Sequence, residues 1–366
     1  MRTRSTRAVL LVAAGLVAGL VLLAGGALGG RVGVARAATR PPALRLTALS
    51  PKGAAPGDAR IELRFSAPLA PLTARTEPRL APATAGAWSQ PSPTTLVFTP
   101  SLAYLPETVV HITVHRGVLA ADGAKLRRAV TVGFQVENGS TARLAQLLAE
   151  LRYLPVHLAS SAHQPRPGDT AGQLSAIFHP PAGRLELGSE WPSELGGLWI
   201  HDPSTVLRGA VMAFESQHGL AVDGVASTAL WRALLAARFH RQFNTEGYNY
   251  AVATETSPET FTLYHNGHVV LRTAANTGIG GRGTAAGTYP VYERLRSQTM
   301  QGTNPDGSHY ADFVQWVAYF NGGDAVHYIP RASYGSPQSL GCIELPYAAA
   351  EQAWGYLTYG TLVTVL

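Results

Sequence analysis

The 366-residue sequence predicts a multidomain chain, mainly β with a small helical module. An N-terminal β-sandwich is expected first, then a central α-helical segment, then a C-terminal β-rich domain. Short runs at both ends of the chain alternate apolar and polar residues at period two, the mark of half-buried strands. The middle carries apolar residues at i, i+3, i+4 and i+7, the stripe of an amphipathic helix. Pro (25) and Gly (38) punctuate these runs and favour turns and linkers. With 46% hydrophobic residues the chain can bury real cores, and its length suffices for two or three domains.

The first segment, residues 1–38, has the form of an export signal or membrane anchor. Arg2, Arg4 and Arg7 precede a stretch from Ala8 to Gly30 without a charged residue. Ala35-Arg36-Ala37 offers a small-residue cleavage site, and the pairs Gly25-Gly26 and Gly29-Gly30 weaken a helix there, which favours cleavage. The stretch 8–30 is also long enough to span a bilayer, so anchoring is the alternative. Either way the remainder is expected to work outside the cytoplasm. The formal charge of +6 suits an anionic envelope. Beyond the N-terminus no Lys/Arg run carries interleaved aromatics, which argues against nucleic acid. Cys342 is the single cysteine, so no internal disulfide is possible; a lone exported thiol is inert and buried, pairs between chains, or reacts.

Residues 41–137 read as a β-sandwich. Ile61, Leu63 and Phe65 alternate with Glu62 and Arg64; Val110, Ile112 and Val114 alternate with His111, Thr113 and His115; Val130, Val132, Phe134 and Val136 share a face. Phe65-Ser66, Phe98-Thr99-Pro100 and the turn Asp122-Gly123 resemble the pattern of bacterial Ig-like domains. No acid–base or metal cluster occurs here, and a spacer role is expected.

Residues 141–238 read as a helical module. Leu144, Leu147, Leu148 and Leu151 mark one helix. A second is expected from Asp202-Pro203, a capping residue before a proline at the first helical position, to His218-Gly219. A third holds Leu230, Trp231, Leu234 and Leu235. Leu151 to Val156 and Ala213 to Leu220, followed by Val222-Asp223-Gly224-Val225, resemble the helical peptidoglycan-binding module. An irregular, Pro-rich insertion, 155–198, separates them and is foreign to that module, so a plain helical connector is an equal reading.

Residues 247–366 return to short strands: Tyr248, Tyr250 and Val252, then Phe261, Leu263 and Tyr264, then Val269 to Leu271 after Asn266-Gly267. That pair predicts a hairpin with a type I′ turn. His265 and His268 flank it, and without nearby Cys, Asp or Glu partners they read as hairpin flanks rather than metal ligands.

The chemistry concentrates in Ser339-Leu340-Gly341-Cys342-Ile343-Glu344, with His327 upstream. A cysteine nucleophile needs a base to take its proton and backbone N–H donors for the oxyanion. Pro330, Gly335 and Pro337 let the chain turn back so that His327 and Cys342 face one another. Thr277-Gly278, Thr284 to Tyr289, His327, Ser339 to Cys342 and the closing Gly360 to Val365 resemble, in order, the L,D-transpeptidase catalytic domain of the YkuD type.

This resemblance implies a peptidoglycan L,D-transpeptidase that uses no cofactor and no metal. Its partners would be the stem peptides of the cell wall. Cys342 would form a thioester and His327 would act as base, leading to 3→3 cross-links. Gly341 and Cys342 N–H groups would make the oxyanion hole, with Ser339 supporting the loop and Asp324 or a backbone carbonyl orienting His327. Tyr328, Arg331, Tyr334 and Glu344 are candidates for substrate contact. The segment 294–314 reads as a long loop and, by resemblance, a flap over the substrate. Three residues depart from the family: Leu340 in place of His, Tyr328 in place of Gly, and Glu344 in place of Arg or Asn. A bare carboxylate at 344 would oppose a thiolate, so Glu344 is expected to pair with Arg331; solvent exposure is the alternative. An L,D-carboxypeptidase using the same pair, and a non-catalytic wall-binding scaffold, are the competing functions.

Overall fold

The computed structural model describes residues 42–159 and 163–366. The expected signal or anchor at 1–38 lies outside the described residues.

Two four-stranded sheets build the N-terminal part. One has the order β1-β3-β6-β5, from β1 (Leu46–Ser50), β3 (Ile61–Phe65), β6 (Thr95–Pro100) and β5 (Gly86–Ser92). The other has the order β2-β8-β7-β4, from β2 (Ala54–Ala55), β8 (Val130–Val136), β7 (Val109–Val114) and β4 (Arg79–Ala81). The alternation explains the layering: Ile61, Leu63 and Phe65 from one sheet and Val110, Ile112 and Val114 from the other enter one apolar core.

Helix α1 (Thr141–Glu150) opens the middle, and α4 (Pro203–Gln217) and α5 (Thr228–His240) complete its core. Asp202 caps α4 by accepting from Thr205 N–H, and Gly219 stands just past its end at φ +65°. The insertion is more regular than the sequence suggested. Strands β9 (Val156–Ala159) and β10 (Arg184–Leu187) pair as an antiparallel ribbon, joined through α2 (Thr170–Ala176) and followed by α3 (Ser193–His201). Its apolar residues, Ile177 and Leu195 among them, complete the helical core, which local periodicity cannot reveal.

The C-terminal part opens with β11 (Asn249–Thr254), β12 (Thr260–His265) and β13 (His268–Ala274). Asn266 and Gly267, at φ +48° and +82°, make the turn between the last two, as the pair requires. After β14 (Gly287–Pro290), the long strands β15 (Glu293–Thr303) and β16 (His309–Asn321) form a hairpin. Strands β17 (Asp324–Tyr328) and β18 (Ile343–Leu345), helix α6 (Tyr347–Tyr356) and β19 (Leu362–Val365) complete the chain. One sheet has the order β13-β12-β11-β19-β14, the other β15-β16-β17-β18, and both enter a shared core with α6.

Helix α4 rests on this part through bare backbone. A Cβ at Gly209 would lie 2.5 Å from the Gly360 carbonyl oxygen, so only glycine allows the approach. Among the described residues no helix is long and apolar enough to cross a membrane.

Candidate functional site

Strand alternation aims the reactive side chains. In β17, Val326 and Tyr328 pack on the shared core, while Ala325 and His327 face the other way. In β18, Ile343 and Leu345 enter the same core, which turns Cys342 and Glu344 toward His327. The two strands pair in parallel with Val326 opposite Ile343 and His327 opposite Glu344. His327 and Cys342 therefore line one cleft of about 560 Å³, a size suited to a small ligand or peptide segment.

The loop that returns the chain from His327 to Cys342 is pinned by Asn276, which is fully buried after β13. Its backbone exchanges two 2.9 Å hydrogen bonds with Glu344. Its side-chain oxygen accepts from Gly335 N–H (3.0 Å) and from the Gln338 amide (3.2 Å). Nearer the cysteine, Ser339 donates its hydroxyl to the Cys342 carbonyl oxygen at 2.6 Å. Gly341 N–H, expected as an oxyanion donor, is directed instead at Ser339 Oγ at 3.1 Å. The Cys342 N–H makes no hydrogen bond within the described residues.

Glu344 is buried and paired. Arg331 Nε donates to its Oε2 at 2.8 Å, Arg331 Nη2 bonds its Oε1, and Asn276 Nδ2 adds a 3.2 Å contact. The two-pronged geometry fits a guanidinium and fixes the loop in place. The pair also raises the affinity of Arg331 for its proton, through the hydrogen bonds and the adjacent charge.

The segment 294–314 is not a loop, as the sequence suggested, but most of the β15–β16 hairpin, with its tight turn at Asn304–Ser308. Asp306 holds that turn by accepting from Ser308 N–H at 2.9 Å. Met300, Asn304, Pro305 and Tyr310 come from the hairpin to line the cleft. Period two was obscured in the sequence because polar residues occupy both faces of an arm that overhangs the site. Where the hairpin leaves the core, Trp316 takes φ +59° at a break in the register with β17. Its ring lies tilted against Trp354 and edge-on to Tyr347, with centroids 5.7 and 6.2 Å away, while Arg294 lies 4.1 Å from the Trp354 ring.

The thiol and the imidazole rest uncharged. Burial pushes the Cys342 thiol up to about 12, opposed by the Ala325 backbone N–H and reinforced by the carboxylates of Asp324 and Glu344. Burial likewise lowers the proton affinity of His327, while a backbone hydrogen bond at Tyr328 and the Glu344 charge act the other way. His327 Nδ1 is buried without a geometrically good partner. Asp324 does not orient it; that carboxylate sits against Gly341, where a Cβ would come within 2.4 Å of Oδ1. Gly341, at φ +130°, is thus required both by its backbone and by this neighbour.

The structure brings Cys342, His327, Ser339, Arg331 and Glu344 to one cleft. It does not bring Tyr328 or Tyr334 there as expected. Tyr328 packs edge-on against Tyr347 at 5.0 Å, and Tyr334 donates its hydroxyl to the Ile329 carbonyl at 2.7 Å. Sequence reasoning missed Asn276, although it stands next to the Thr277-Gly278 motif, because nothing local marks a buried amide that works on a loop far along the chain. Among the described residues no group of three or more His, Cys, Asp or Glu is placed to hold a metal ion.

The profile of the L,D-transpeptidase catalytic domain, YkuD, matches residues 249–365. No curated protein sequence matches the chain. Among solved structures, an L,D-transpeptidase from Mycobacterium smegmatis is similar at 15% identity, covering 89% of this chain and all of that one, with a TM-score of 0.31. L,D-transpeptidase 3 from Mycobacterium tuberculosis is similar at 14% identity, covering 88% and 98%, with a TM-score of 0.30. The catalytic domain of the E. faecium L,D-transpeptidase is 25% identical over 34% of this chain and all of that one, with a TM-score of 0.30. Residues 249–365 of this chain are an L,D-transpeptidase catalytic domain.

Proposed function

We propose that the protein is an exported peptidoglycan L,D-transpeptidase that forms 3→3 cross-links through a thioester on Cys342. The observation that carries this reading is the placement of the Cys342 thiol, just before β18, and the buried His327 imidazole, on the adjacent parallel strand β17, facing one cleft. His327 takes the thiol proton as sulfur attacks the carbonyl carbon between the third stem residue and its terminal D-Ala. The unengaged Cys342 N–H faces the developing oxyanion, and Ser339 holds the loop that presents it. Collapse breaks the C–N bond, His327 returns the proton to the leaving amine, and D-Ala departs. The side-chain amine of a second stem then attacks the thioester. Residues of the β15–β16 hairpin line the cleft, so that substrate bound between them and Cys342 displaces water, which favours transfer over hydrolysis.

Intact-mass measurement after exposure of the full chain to a carbapenem tests the reading. One adduct is expected, and none on Cys342→Ala. A folded protein that forms no adduct would overturn it. Product analysis with a tetrapeptide donor, with and without an amine acceptor, then separates cross-linking from carboxypeptidase action.

A further inference from the structure

Three carboxylates line the cleft, Asp312, Asp324 and Glu344; the last two act on the cysteine, and they are treated differently. Glu344 is neutralised by the two-pronged pair with Arg331. Asp324, at the start of β17, has no basic side chain paired with it among the described residues. Among the described residues its polar supports are the Asn321 amide at 3.5 Å and the Ala285 backbone N–H. It is half-buried, lines the cleft, and occupies space that glycine at 341 leaves open.

This placement has a cost on both sides. Burial raises the Asp324 carboxyl above its ordinary range, and its charge opposes thiolate formation at Cys342. Its charge gives no help to the acylation step. An unpaired carboxylate open to a reactive cleft suits a cation that arrives from outside.

Resting on the proposed transpeptidation, we propose that Asp324 docks the ammonium group of the acceptor stem peptide beside the thioester. Such a side-chain amine is protonated at neutral pH. Asp324 holds it while one proton leaves to water and frees the nitrogen lone pair. The nitrogen then bonds to the thioester carbon, the C–S bond breaks, and the second proton passes through His327 to sulfur. The balance is acyl-enzyme plus ammonium giving amide, free thiol and one proton.

The acyl-enzyme of the full chain, formed from a tetrapeptide donor, is offered two nucleophiles: the cationic side-chain amine of a stem tripeptide, and neutral hydroxylamine. The readout is the ratio of their kcat/KM values. Asp324→Asn should lower that ratio on the order of tenfold, the loss of one charge-assisted hydrogen bond. Asp324→Glu should restore part of it. General damage to the site lowers both values together and leaves the ratio unchanged, which would overturn the inference. An unsubstituted chain that transfers to neither nucleophile would instead overturn the proposed function itself.

Discussion

Between residues 42 and 137 no Asp, Glu, Lys, Arg, His, Asn, Gln, Ser or Thr side chain is buried; the core is Leu, Ile, Val, Phe, Ala and Tyr from two facing sheets. Between 249 and 366 the chain buries Asn249, Glu259, Asn276, Thr277, His327, Ser339 and Glu344, among others, inside a fold of similar strand content. A buried polar group costs stability unless it is partnered, and it specifies one arrangement when it is. The N-terminal sheets are joined by their backbone ladders and pack on an apolar core. The C-terminal part spends stability to fix a loop, and the partners of its buried polar groups converge on Cys342: Asn276 on Glu344 and Gln338, Glu344 on Arg331, Ser339 on the cysteine's own carbonyl.

Substitution of His327 draws this contrast most strongly. With the thiol pushed up to about 12, no appreciable thiolate exists near neutrality without a proton acceptor. His327→Ala should slow carbapenem acylation by about 10²–10⁴-fold in stopped-flow or timed mass measurements. A folded variant that loses less than about tenfold would show that another group takes the proton.

The next effect separates the two cores. Arg331→Ala leaves Glu344 buried with only the Asn276 amide, and should cost about 3 kcal/mol in denaturant unfolding while slowing acylation. Leu63→Ala in the N-terminal core should cost a similar 2–5 kcal/mol through the cavity it leaves. Acylation of the folded fraction of that variant should match the unsubstituted chain. If Leu63→Ala also slows acylation, the N-terminal sheets take part in shaping the site.

The smallest effect is in pH. Burial disfavours the protonated imidazole, so His327 stays a competent base to lower pH than a free histidine. The acid limb of the acylation profile should therefore have its midpoint below about 6.5. A midpoint at or above that value would mean that His327 is held as the cation, with the Glu344 charge prevailing over burial.

The sequence made the strands and helices legible wherever one face is apolar: Ile61 to Phe65, Val110 to Val114, the helix from Asp202-Pro203 and the Asn266-Gly267 turn all lie where periodicity and turn chemistry put them. It failed over 155–198 and 294–314. In the first, the apolar residues of the ribbon and helices are completed by distant helices. In the second, the half-buried face of the hairpin is carried largely by polar or small residues such as Gln298 and Gly302, so no apolar period two shows in the sequence.

Local chemistry in the sequence determined which residues could react: a single cysteine after glycine, a histidine upstream, and a carboxylate at 344 that required a cation. Pairing of Glu344 with Arg331 was expected from charge, with solvent exposure as the alternative; the burial that makes neutralisation necessary is visible only in the structure. Only the tertiary structure decided that Asn276 is the pin of the loop, that Tyr328 packs on Tyr347 and Tyr334 bonds the Ile329 carbonyl rather than lining the cleft, and that Asp324 lies against Gly341 rather than behind His327. These depend on the parallel register of β17 and β18 and on the approach of a segment far away in sequence. A strand's own alternation sets which face a side chain takes; what it meets there is set by chain brought from elsewhere.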